Sequence, residues 1–322
     1  MNILITGAAG FIGFHAAKAL LARGHAVLGL DSLNAYYDPA LKNARLAQLN
    51  GDKNFRFVSC DIADEPSLRG AAGEGMDVIL HLAAQAGVRH ALTDPLAYTR
   101  SNLVGHHNIL ELARRMKSEP HLVYASSSSV YGNDTKPPFS ETAPALHPVS
   151  YYGATKRAGE LLSHSYAEVF GLKQTGLRFF TVYGPWGRPD MAYWLFTENV
   201  LADIPIKVFG ESLRRDFTWI DDIASALVRI VETPFAKVGR DAPHRLYNLG
   251  NSKPEDVGTL IRLIEDACGK RAIIEHAKGP PGDVNETYAD IKKAARDFDF
   301  GPATKLAEGI PQFVRWFRSY RV

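Results

Sequence analysis

Residues 6–13 read "TGAAGFIG", which sets Gly7, Gly10 and Gly13 three apart. Ahead of them "NILIT" (2–6) is the short apolar run of a buried strand, and "FHAAKALLARG" (14–24) behind them has helical character. Strand, glycine turn and helix in that order form a phosphate cradle. The first glycine permits a tight turn and the second lets the backbone approach a pyrophosphate. The third lets the helix pack closely on the sheet, so that its terminal N–H groups turn toward the phosphates. Glycines can mark a turn and nothing more. Here the strand-turn-helix setting points to a dinucleotide site, with Gly7, Gly10, Phe11, Ile12 and Gly13 as cofactor contacts.

Working outward, β-branched runs alternate with amphipathic stretches. After "AVLGLD" (26–31) come "FRFVSCD" (55–61), "DVILHLA" (77–83), "HLVYASS" (121–127) and "KQTGLRFF" (173–180), with helical stretches notably around 96–117 and 151–170. This alternation predicts an α/β fold, a Rossmann-type doubly wound parallel sheet. After residue 181 the character changes. "TVYGPWGRPDM" (181–191) reads as a loop over a site. Helices at 192–203 and 221–232, short strands at 206–210, 216–220 and 245–250, and a helical C-terminus follow. We expect residues 1–180 to form the NAD-binding domain, with segments at about 218–250 returning to it. Residues 181–217 and 251–322 would form a smaller C-terminal substrate-binding lobe.

Asp31 ends the second strand, about 20 residues beyond the glycines, where a carboxylate accepts both adenosine ribose hydroxyls and repels a 2′-phosphate. That favours NAD over NADP. Asn34, Asp61 and Ile62 are expected near the adenosine, and Leu82, Ala83 and Ala84 along the cofactor, where bulk would clash.

The 322 residues are 46% hydrophobic and 22% charged, with a net charge of +2 and no basic block, so neither nucleic acid nor an anionic membrane is indicated. Eleven scattered histidines show no metal-ligand spacing, and no metal is expected. Cys60 and Cys268 read as buried thiols of a reducing compartment. The start "MNILITG" has no signal-peptide pattern and no stretch could span a bilayer, so a soluble cytoplasmic protein is expected.

"YASSSSVYG" (124–132) sets four hydroxyls at the carboxyl end of a buried strand, where open α/β sheets keep ligands. "YYGATK" (151–156) puts Tyr152 and Lys156 on one helix face. A tyrosine titrates near pH ~10, and an adjacent ammonium favours its phenolate. One serine beside this pair completes a Ser/Tyr/Lys set for hydride transfer at an alcohol carbon.

"TGAAGFIG", "SSSSVYG", "YYGATK" and "LRFFTVYGP" stand in the order found in the extended short-chain dehydrogenase/reductase family of nucleotide-sugar epimerases and dehydratases, which the whole chain resembles. The segments "LNAYYDPALKNARL", "QAGVRHALTDPLAYTRSNLVG", "FFTVYGPWGRPDMA" and "PPGDVNETYAD" are similar to the family's UDP-glucuronate 4-epimerase branch. The resemblance implies tightly bound NAD, a UDP-sugar substrate, a 4-keto intermediate, and a homodimer joined by a four-helix bundle from 96–117 and 151–170. It makes Tyr152 the base, Lys156 its tuner and ribose contact, and Ser127 the hydroxyl partner. Ser128 and Ser129 would serve the substrate carboxylate or local structure.

The resemblance also implies that Arg215 and Asp283 contact the UDP, and that Thr181, Arg188 and Arg89 belong to the substrate site. Family decarboxylases and dehydratases carry an acid before "VYG", whereas this chain has serines. Tyr151 and Asn285 depart from frequent family residues. Epimerisation of UDP-glucose or UDP-N-acetylglucosamine, decarboxylation of UDP-glucuronate, and a non-catalytic NAD-sensing scaffold are the competing readings.

Overall fold

The computed structural model describes residues 1–210, 213–238, 242–277 and 286–321. Seven strands form one parallel sheet: β1 (Asn2–Thr6), β2 (Ala26–Asp31), β3 (Phe55–Ser59), β4 (Val78–His81), β5 (His121–Ser127), β6 (Gln174–Phe179) and β7 (His244–Leu249). Their order is β7-β6-β5-β4-β1-β2-β3. The order reverses between β1 and β4, so a crevice opens at the carboxyl ends of those two strands.

Parallel strands covered on both faces need no polar side, which is why "NILIT" and "VILH" are continuous apolar runs. Alternation divides their side chains. Ile3, Ile5, Leu80, Val123 and Leu177 enter one buried cluster with the helices Phe11–Ala22 and Ile220–Glu232. Leu4, Ile79 and Leu122 enter the other, with Ile109 and Leu110 of the helix His106–Arg115. The same alternation sends Ser126 and Ser127, neighbours at the end of β5, to opposite faces.

Two segments differ from the sequence reading. The stretch around 96–117 is one α-turn (Pro95–Tyr98), a π-helical run (Thr99–Gly105) and then His106–Arg115. Asn102 explains the widened turn, because its buried amide is clamped from two sides. It accepts from the Gln85 N–H (2.9 Å) and donates to the Gln85 carbonyl (3.0 Å) and to Thr155 Oγ1 (3.1 Å). The expected loop at 181–191 begins as a strand, Thr181–Tyr183, paired in parallel with Phe217–Trp219. Its apolar Val182 and Tyr183 are buried.

Farther along, Ile206–Val208 pairs with Ile274–His276, and Arg214–Arg215 pairs with Glu255–Asp256 and Glu286–Thr287. Among the described residues no helix is long and apolar enough to cross a membrane, and both cysteines are buried and unpaired.

Candidate active site

At the crevice, Gly7 takes φ +74°, and a Cβ there would stand 2.7 Å from the Ala83 nitrogen. A Cβ on Gly13 would stand 2.0 Å from the Gly7 carbonyl oxygen. The loop is therefore built for bare backbone. Gly10 caps the helix without a side-chain bond, leaving the first-turn N–H groups for a ligand. The Phe11 side chain is buried in the core, so it is the N–H that can serve the crevice.

Asp31 is 8% exposed. It accepts from the N–H of Ala9 (3.2 Å) and Leu33 (2.8 Å). Lys42, whose amino group donates to Asn34 Oδ1 at 2.9 Å, stands 3.5 Å from the same carboxylate. A cavity of about 430 Å³ continues past Asn34, Cys60, Asp61, Gln85 and Arg100. Arg100 pairs with Asp61 at 2.9 Å. Ile62 turns its side chain into the core, where it fills the space beside Gly105. Leu82 and Ala83 bond β1 through the Thr6 carbonyl (3.1 Å) and hydroxyl (3.2 Å), and Ala84 follows them. A cradle that side chains would fill, a bare helix N-terminus and a strand-end carboxylate fit a dinucleotide with free ribose hydroxyls.

Tyr152 and Lys156 lie on the helix Tyr151–Phe170, whose first turn Ser150 caps by accepting from the Gly153 N–H at 3.0 Å. Burial raises the Tyr152 phenol above its ordinary value. Arg188 is the strongest opposing influence, followed by a hydrogen bond with Ser127, while Asp190 adds to the rise. The Lys156 ammonium donates to the Ala125 carbonyl at 2.9 Å, and Arg188 brings a second cation whose charge favours the phenolate. Burial brings Lys156 down to about 8, with Glu160 opposing.

Arg188 holds Asp190 with two bonds, Nε to Oδ1 at 2.9 Å and Nη2 to Oδ2 at 2.6 Å. Tyr36 donates to Asp190 Oδ2 at 3.0 Å, and the Tyr98 ring meets Tyr152 edge-on at 6.1 Å. Burial opposes the Asp190 charge, yet Arg188 and Tyr36 hold its carboxyl below the ordinary value.

The serine run divides its work. Ser127 faces Tyr152 and also accepts the Ser129 N–H at 3.2 Å, starting the short turn Ser128–Tyr131. Ser126 points the other way and donates to Glu160 Oε1 at 2.6 Å. Glu160 also receives Arg178 through two bonds of 2.8 Å and Arg157 at 2.9 Å. A carboxylate therefore does reach the run, from behind, but it is committed to two guanidinium groups and is unsuited to moving substrate protons.

The remaining expected residues spread along the second half. Thr181 starts its strand, with its N–H on the Asp216 carbonyl at 3.0 Å. Arg89 lies over the Phe209 ring at 4.4 Å. Arg215 sits in the strand Arg214–Arg215 and donates to the Arg214 carbonyl at 3.0 Å. Asp283 and Asn285 lie outside the described residues. Tyr151 turns away from the site and bonds Thr99 Oγ1 at 2.6 Å. Sequence reasoning missed Tyr36, Lys42, Arg45, Asp190 and Glu160. For the first four a signal was present, as charged and phenolic residues of "NAYYDPALKNAR" and "GRPD", and for Glu160 as the lone acid of "AGELL" (158–162).

Residues 3–250 match the family described as NAD dependent epimerase/dehydratase. UDP-glucuronate 4-epimerase 6 of Arabidopsis thaliana is 45% identical over 336 residues, covering 99% of this chain and 72% of its own. Protein CapI of Staphylococcus aureus is 44% identical over 333 residues, covering 99% of each chain. Among solved structures, UDP-glucuronic acid 4-epimerase from Bacillus cereus in complex with UDP-glucuronic acid and NAD superposes with a TM-score of 0.91. It is 33% identical and covers 99% of this chain and 100% of its own.

Proposed function

The chain belongs to the NAD dependent epimerase/dehydratase family, and from that premise we propose that it interconverts UDP-glucuronate and UDP-galacturonate by inverting carbon 4. The observation that carries this reading is a half-buried Tyr152 phenol bonded to Ser127, beside neutral hydroxyls at Ser127, Ser128 and Ser129. Held by Gly7, Gly10, Gly13, Asp31 and Lys156, NAD would supply a reversible hydride acceptor for carbon 4. Tyr152 as phenolate takes the hydroxyl proton while hydride leaves, which gives the 4-keto sugar. After the sugar turns over, the same residue returns the proton to oxygen as hydride arrives on the opposite face.

Ser127 hydrogen-bonds the reacting oxygen beside Tyr152. Lys156 holds the nicotinamide ribose, Asp31 the adenosine ribose, and Gly7, Gly10 and Gly13 the pyrophosphate. Phe11 and Ile12 contribute N–H groups, and Asn34, Asp61, Ile62, Leu82, Ala83 and Ala84 line the cofactor. Arg89, Thr181, Arg188, Arg215 and Asp283 are assigned to the substrate with Ser128 and Ser129. The 4-keto uronate is a β-keto acid prone to lose carbon dioxide. Neutral donors around the carboxylate hold it without supplying a proton for that loss.

We place the enzyme in the cytoplasm, which two buried free thiols suit. We also take it to be a homodimer through the helices at 96–117 and 151–170. Leu96 and Leu161, which are 73% and 54% exposed, support that face.

Purified protein given UDP-glucuronate should yield UDP-galacturonate without UDP-pentose or carbon dioxide. UDP-xylose as product would overturn the assignment. Tyr152→Phe should keep its NAD and lose turnover by about 10²–10⁴-fold. Full turnover in that variant would instead favour the scaffold reading.

A further inference from the structure

The cavity of about 430 Å³ begins at Asn34, which shares Lys42 with the Asp31 carboxylate. A base attached to a ribose held at Asp31 therefore has this space to enter. Its floor is closed, with Cys60 and Gln85 each 4% exposed. Among the described residues that line it, Asp61 and Arg100 are the charged ones and the rest are neutral. These two side chains are 39% and 63% exposed, so they stand at the outer rim. There Arg100 Nη2 donates to Asp61 Oδ2 at 2.9 Å, joining the wall that follows β3 to the π-helical run.

The two walls are fastened to each other below that rim by buried contacts. The Ile62 carbonyl accepts from Asn108 Nδ2 at 2.9 Å, on the helix His106–Arg115. The Ile62 side chain lies against Gly105, where a Cβ would stand 2.7 Å from Ile62 Cδ1. Asn102 ties the π-helical run to the Gln85 main chain, as described above. Asp61 Oδ1 accepts the Ala63 N–H at 2.9 Å, which leaves Oδ2 for Arg100. Ala97, Arg100 and Ser101 follow the i, i+3, i+4 spacing of one helix face and line the cavity together. The base of the cavity is thus fixed by packing, and its mouth is crossed by an ion pair that water reaches. An exposed pair adds little to folding, so its place across the mouth is what distinguishes it.

We propose that Arg100 is a cofactor-retention residue: with Asp61 it forms a clasp across the adenosine cavity that has to part before NAD leaves. The inference rests on NAD as the occupant of the crevice. Retention matters to the proposed epimerisation, because a hydride removed from carbon 4 has to be returned to the same sugar. Breaking the clasp leaves the glycine loop and Asp31 untouched, so it acts on departure. Methionine in place of Arg100 removes the charge and every donor, whereas lysine keeps a cation facing Asp61.

The test is the rate at which NAD-loaded protein exchanges its cofactor against excess deuterated NAD, read by mass spectrometry, for wild type, Arg100→Met and Arg100→Lys. We expect Arg100→Met to release NAD about fivefold faster, the upper end of what an exposed pair supplies. Association should change less than about twofold. Arg100→Lys should stay within about twofold of wild type, since the pair can re-form. Raising NaCl from about 50 to about 500 mM should speed wild-type release more than that of Arg100→Met, which has no pair left to screen. Melting temperatures without NAD should agree within about 3 °C. Unmoved release in Arg100→Met overturns the proposal, and so does a lysine variant that releases as fast as the methionine one. Should Arg100→Met fail to fold, Arg100→Ala carries the same expectation and the same refutation. Wild type that holds no NAD and takes none up overturns the cofactor reading itself. Loaded wild type with unmoved release in the variant overturns the role of Arg100 alone.

Discussion

Glu160→Gln tests whether the back of the serine strand is held by charge. The Glu160 side chain is fully buried and its partner Arg178 is 1% exposed. Glutamine keeps the volume and leaves a buried guanidinium without its counter-charge. Removing one partner of such a pair costs about 3–5 kcal/mol. In a chain of this size that lowers the melting temperature by on the order of 10 °C.

The pH dependence supplies a second reading. Burial alone would raise the Glu160 carboxyl, but Arg178, Ser126 and Arg157 bring it below its ordinary value. The folded state then binds the proton less readily than the unfolded chain. Its stability contribution is complete above the unfolded carboxyl value, near pH ~4.3, and is lost as pH falls through the folded value. The gap between wild type and Glu160→Gln should be flat from about pH 6 to 9 and close in acid. Urea unfolding followed by tryptophan fluorescence at stepped pH measures it. Adding Arg178→Met should recover all but about 1–2 kcal/mol, because the uncompensated charge is gone. A single-variant cost below about 1 kcal/mol, the level of an exposed pair, would refute the reasoning. So would a gap of equal size in acid and at neutrality.

Two further substitutions address the cofactor crevice. Asp31→Ser removes charge-assisted acceptance of the ribose hydroxyls, worth about 1.5–3 kcal/mol, so NAD affinity should fall about 10–100-fold by titration and preference over NADP should narrow. Unchanged preference would place the ribose elsewhere. Gly13→Ala puts a methyl 2.0 Å from the Gly7 carbonyl oxygen. The purified variant should release no NAD on heat denaturation, and a full complement would show that the loop binds in another shape.

The fold was legible because its signals are local. A parallel sheet buried on both faces needs continuous apolar strands, and "NILIT", "AVLGLD" and "HLVYASS" supply them with glycines where the backbone must come close. Tyr152 and Lys156 were legible for a similar reason, since helical spacing alone sets them one turn apart. The π-helical run at Thr99–Gly105 was not, because what widens the turn is Asn102 reaching Gln85 and Thr155, contacts no periodicity records.

The sequence by itself determined the order of strands and helices, the bare glycine loop, the carboxylate that ends β2 and the phenol-lysine pair. Each depends on residues within a turn or a strand of one another. Tertiary structure decided which charges act on which groups. Lys156 stands one turn from Tyr152 with its ammonium fixed on the Ala125 carbonyl of β5, while the paired Arg188 and Asp190 arrive from a loop more than thirty residues further along. Ser126 and Ser127 are neighbours in sequence, yet the pleat sends one to Glu160 and the other to Tyr152. Electrostatic influence follows distance in space and burial, and chain spacing sets neither once the loops of a doubly wound sheet converge on one crevice.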